Sequence, residues 1–62
     1  MERSKVLDFV NKSPQRFFGK RIETQIEGER ALASKDMKGH LIVSWCKQVF
    51  EFFWDKEHEQ WV

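Results

Sequence analysis

The sequence predicts a mostly α-helical domain: a small bundle of two to three helices with a long aromatic C-terminal helix. Three observations carry this. Between residues 41 and 55 the polar positions Ser44, Lys47, Gln48, Glu51 and Asp55 recur at spacings of 3, 1, 3 and 4, which marks one face of a helix. Residues 20–39 are rich in Glu, Gln, Ala, Lys and Arg, which are good helix formers. Near the start, Val6, Leu7 and Val10 share one side of a helix, with Phe9 close by.

Taken in order, Ser4 is a plausible cap and the first helix is expected over residues 4–12. Pro14 biases Ser13 away from the helical region and ends it. Pro14 can also open a short turn capped by Ser13 and closed by Gly19. Phe17 and Phe18 then point in different directions, and one is expected to anchor while the other is partly exposed.

Residues 21–34 admit two readings. The favoured one is a helix through Ile22, Ile26, Ala33 and Met37, with Gly28 as an internal cost and Gly39 as its C-cap. The other is α+β. Ile22, Thr24 and Ile26 alternate with Glu23, Gln25 and Glu27, and "KDMKG" turns a hairpin spanning residues 21–46. The last third favours a helix more strongly. A single strand would put Lys47 and Glu51 on the face of Leu41, Val43 and Trp45. On the helix, Leu41, Trp45, Val49 and Phe52 face the core. Ile42, Cys46, Phe50, Phe53 and Trp54 look outward.

Sixty-two residues make one domain, residues 1–62. Such a chain buries only about 60% of its unfolded surface, so large rings matter. Fifteen per cent of the residues are aromatic, all Phe or Trp, which is enough to supply both a core and a docking surface. One cysteine cannot close an internal disulfide. Cys46, His40 and His58 are too few for a structural zinc site, and no metal or cofactor is expected. No apolar run is long enough for a membrane span or a signal sequence, so the expectation is a cytoplasmic protein with no membrane partner.

Catalytic groups are not expected. Cys46 has no histidine on its helical face and reads as a small buried hydrophobe. His58 reads as part of a solvated charged helix end, and His40 carries no assigned chemistry. Glu23/Glu27 and Glu51/Asp55 stand four apart, but a chain this small has little room for a pocket that would divide their pKa values.

Binding remains. The first expectation is a non-catalytic regulatory or adaptor protein that binds a larger protein through Phe50, Phe53, Trp54 and Trp61, and that forms a homodimer. The alternative is a nucleic-acid-binding regulator. Net charge is only +1, yet residues 12–21 hold Lys12, Arg16, Lys20 and Arg21 with no acid. Phe17 and Phe18 lie among them, so this basic patch suits an unpaired base or an RNA loop.

Overall fold

The computed structural model describes residues 2–62, and it is an α+β fold rather than a helical bundle. Helix α1 spans Glu2–Asn11, and a 3-10 turn follows at Pro14–Phe18. Six strands come next: β1 (Arg21–Ile26), β2 (Glu29–Lys35), β3 (Leu41–Trp45), β4 (Gln48–Phe52), β5 (Trp54–Asp55) and β6 (Gln60–Trp61). Strands β1 to β4 form an antiparallel meander in sequence order, and β5 pairs with β6 in a separate ribbon. Between β4 and β5, Phe53 and Val62 exchange backbone hydrogen bonds of 2.9 and 2.8 Å, so the ribbon starts where the sheet ends.

The long C-terminal helix is thus overturned, and the reason is a turn. Trp45 and Gln48 pair across the two-residue link Cys46–Lys47. Such a link reverses the parity of the side chains. Leu41, Val43 and Trp45 point inward before it, and Phe50 and Phe52 point inward after it, as the pairs Leu41/Phe52 and Val43/Phe50 require. Folded back on itself, that pattern gives the same polar spacings as a helix. Lys47 sits in the turn, and Glu51 pairs with Ile42 on the outer face, so the objection to a strand dissolves. Val49, expected in the core, pairs with Ser44 on that outer face and is 69% exposed.

The helix favoured for residues 21–34 is also absent. The α+β alternative is nearer, but the chain turns twice in it. Glu27 and Gly28, with φ of 53° and 78°, make the first hairpin, and Asp36–His40 makes the second. Helix α1 begins two residues earlier than Ser4 would place it. The 3-10 turn lies where expected, with Pro14 at its start, Phe17 2% exposed and Phe18 50% exposed, but the Ser13 side chain makes no capping hydrogen bond.

One face of the sheet makes the core. Ile26, Ala31, Ala33, Leu41, Val43, Trp45 and Phe52 meet Val6 and Val10 of α1, Phe17 of the turn and Trp61 of β6. Ala31 and Ala33 keep the second strand low, which leaves space above it for larger neighbours. The two most buried indoles each satisfy their N–H. Trp45 Nε1 donates to the Ile26 carbonyl and Trp61 Nε1 to that of Pro14, both at 3.0 Å. The Asn11 side chain then treats Trp61 as a neighbouring strand would. Its Nδ2 donates to the Trp61 carbonyl at 2.9 Å, and its Oδ1 accepts from the Trp61 amide at 2.8 Å.

Asn11→Ala removes both bonds and leaves a partly buried amide and carbonyl unpaired. The expected loss is about 1–3 kcal/mol in urea unfolding. Asn11→Asp keeps the acceptor and loses the donor, so it falls between the two. Equal stability of all three proteins would show the pairing to be inert. The second prediction concerns the β3–β4 turn, where Cys46 and Lys47 hold φ of 50° and 62° without a glycine. C46N/K47G supplies the residues this turn favours and should raise stability by about 1 kcal/mol, read as a higher urea midpoint at unchanged slope.

Candidate functional site

The end of the sheet where β1 begins and β2 leaves gathers most of the chemistry. The 3-10 turn delivers Phe18 there, because Phe17 takes the inward position beside it. Phe18 meets Trp54 edge-on at 4.7 Å and Trp61 at 5.8 Å between ring centroids, and the two indoles are 5.1 Å apart. Trp61 is buried, Trp54 half-buried and Phe18 half exposed, so the cluster grades from core to surface.

A cation lies against these rings. Lys35, the last residue of β2, places Nζ 5.7 Å from the Phe18 centroid and 5.5 Å from that of Trp61. It also donates to the Gly19 carbonyl at 3.3 Å. Burial lowers its pKa from the usual lysine value. An anion arriving beside it would favour the charged form again.

The sequence stretch "GKR" continues from this cluster into β1. Lys12, Arg16, Lys20 and Arg21 are all exposed. Among the described residues the carboxylates paired with Lys or Arg are Glu27, held by Lys5, and Glu23, held by Arg30, so these four cations have no carboxylate partner. They are not all equivalent. Arg16 shares a groove of about 380 Å³ with Ser13, Pro14, Gln15 and Glu59, whose charge opposes its own. Its guanidinium also lies 5.7 Å from the Phe17 ring.

The residues expected to make a protein interface are dispersed. Trp61 is 1% exposed and presents almost no surface. Phe50 is partly buried against the core beside Phe52, and Trp54 belongs to the cluster with Phe18. Phe53 is half exposed and stacks on His40 at 4.2 Å. Of the basic patch, Phe17 is given to the core and Phe18, Lys20 and Arg21 are exposed, but alternation along β1 puts Arg21 on the outer face, with Ser34, away from the face of Ile22.

Lys35 and Trp54 were missed as members of this patch. The α+β alternative does not find Lys35 either, because the Glu27–Gly28 hairpin, which it lacks, is what sets Ser34 across from Arg21 and brings Lys35 to the level of Gly19. A second group was missed altogether. Asp36, His40 and Glu51 each bring a ligand-type atom within 4.8 Å of the others. The β2–β3 turn supplies the first two, and Glu51 stands across from Ile42, two residues after His40 in the chain.

Local hydrogen bonds set the carboxylates. Partial desolvation pushes Asp36 up, but the His40 and Lys38 amides bond its Oδ1 at 2.8 and 2.9 Å. Together with the charges of those residues they hold it below the usual aspartate range. Asp55 is also held down, first by the His58 side chain at 2.7 Å, against some desolvation, with the His58 and Glu57 amides assisting. Cys46, expected to be buried, is exposed at the β3–β4 turn. Desolvation, with Glu29, Glu2 and Glu27 nearby, raises its thiol above the usual value, which disfavours the reactive thiolate.

No family model, curated protein or solved structure gives a significant match to this chain. No described helix is long and apolar enough to cross a membrane.

The two depressed aspartates make an acid-stability prediction. Each binds its proton less readily in the folded chain than in the unfolded one. Their contribution is therefore present above the ordinary aspartate range near about 3.9 and is lost as pH falls through the lower folded values. Thermal melts from about pH 7 to 2 should show D36N/D55N losing less on acidification than the parent. Superimposable acid limbs would assign the loss to other carboxyls.

Proposed function

We propose that the protein is a small non-catalytic regulator that contacts single-stranded nucleic acid or RNA loops through the basic stretch 12–21. The observation that carries this reading is the half-exposed Phe18, braced edge-on by Trp54 and flanked by Lys35, with Lys20 and Arg21 following it in the chain. A braced ring loses little entropy when a base stacks on it. Such stacking contributes about 1–3 kcal/mol for each base and tolerates any sequence. Lys35 beside the ring, and the cations that follow it in the chain, suit the phosphates of such a strand.

A duplex fits less well. The described chain has one helix with an apolar buried stripe, and its basic residues lie on a turn and a strand start rather than along a groove-sized element. The reading extends the original patch by Trp54 and Lys35 and gives Phe17 a supporting role.

The test is fluorescence anisotropy with short labelled single strands of RNA and DNA across a salt series. Binding should weaken with salt by a log–log slope of about 0.7 for each phosphate neutralised. F18A should weaken binding roughly 5- to 150-fold, the equivalent of about 1–3 kcal/mol. R16A/K20A/R21A should flatten the salt slope, and a duplex of the same length should bind more weakly. Absence of binding at low salt would sink the proposal. Salt-insensitive capture of a protein, lost on F53A, would favour docking to a larger protein partner instead.

A further inference from the structure

We propose that Asp36, His40 and Glu51 form a divalent-metal site selective for zinc over magnesium or calcium. The inference stands on this cluster and does not depend on nucleic-acid binding. His40 Nδ1 lies 2.8 Å from Glu51 Oε2 and 3.4 Å from Asp36 Oδ2. A single N–H serves the nearer Glu51 oxygen well and the Asp36 oxygen at best weakly, so the pair of carboxylates has one donor between them there. A divalent cation in place of that proton serves all three atoms at once. Zinc holds imidazole nitrogen at about 2.0–2.1 Å and carboxylate oxygen at about 2.0–2.2 Å. Ligand atoms around a tetrahedral ion then stand about 3.4 Å apart. The Asp36–His40 separation already has that value, and the Glu51 contact needs to open by a fraction of an ångström.

The ligands are held before any metal arrives. Asp36 spends Oδ1 on the Lys38 and His40 amides and leaves Oδ2 facing the imidazole. Phe53 stacks on the His40 ring at 4.2 Å and 25°, which fixes its plane from outside the cluster. Glu51 comes from a paired strand position. All three side chains are partly exposed, which leaves the fourth coordination position to water. One imidazole among two carboxylates suits zinc, whereas magnesium and calcium prefer oxygen alone. Binding leaves the imidazole neutral with its proton on Nε2, and any Nδ1 proton goes to solvent.

The experiment uses the whole chain, stripped with a chelator, titrated with zinc alone and followed by imidazole ring NMR and thermal melting. Zinc should perturb the His40 ring nitrogens, fix the Nε2–H tautomer and raise the melting temperature. H40Q and E51Q should each weaken binding at least about tenfold, the low end of what losing even an outer partner of a metal site costs. Should H40Q fold poorly, E51Q alone decides, since its side chain is about half exposed. C46S/H58Q should bind as the parent does, and magnesium at the same concentration should do nothing. A His40 ring that ignores zinc overturns the proposal. So does zinc binding that survives E51Q or vanishes in C46S/H58Q.

Discussion

A four-stranded sheet has two faces, and this chain has one short helix with which to cover one of them. The helix alone is too small. The remaining area is closed by Trp61, which arrives from the far end of the sequence and must be held there. Asn11 does the holding. Its amide offers a donor and an acceptor at the spacing of a peptide group, so the last strand pairs with the end of the helix as though with another strand. The Pro14 carbonyl takes the indole N–H, which locks the 3-10 turn to the same side chain. Helix, turn and terminal ribbon therefore converge on one residue, and Phe17 and Val10 complete the wall around it.

How much of this was legible depended on the turns. The first hairpin carries a glycine at its positive-φ position and an alternating strand before it, so the sequence offers a visible strand alternative there. The β3–β4 link offers no such signal. Cys46 and Lys47 occupy left-handed positions that glycine or asparagine usually fill. A turn without turn residues lets two alternating strands pass for one helix, and that error carried the aromatic stripe with it. A helix would give Gln48 and Glu51 one solvent face, whereas they lie on two faces of a folded-back ribbon. The Phe17/Phe18 division survived because it depends on neighbours in the chain pointing apart, which holds for any tight turn.

The candidate sites were hidden for the same reason. Lys35 and Asp36 are adjacent in the chain but serve different surroundings, the lysine lying over aromatic rings and the aspartate facing an imidazole. The lysine meets Gly19 and Phe18 through the Glu27–Gly28 hairpin, and the aspartate meets His40 through the "KDMKG" turn. Phe53 and Trp54 show the mirror image: one ring stacks on His40 and the next meets Phe18. The aromatic–lysine cluster and the acid–imidazole cluster are thus built from two pairs of consecutive residues whose side chains diverge. No helical reading of these segments could separate them this way, because consecutive helical side chains lie about 100° apart rather than on opposite sides.

The meeting of Trp54 and Trp61 has an optical consequence. Two indoles 5.1 Å apart and inclined at 66° lie close enough for their strong ultraviolet transitions to mix into a delocalised pair. The resulting couplet overlies the peptide signal in far-ultraviolet circular dichroism, where it distorts any reading of strand content. It also marks pairing of the terminal ribbon directly, because the two rings are its cross-strand pair. The band vanishes when the two rings part, even while the four-stranded sheet keeps its backbone signature, so light absorption alone can separate pairing of the terminal ribbon from pairing of the sheet.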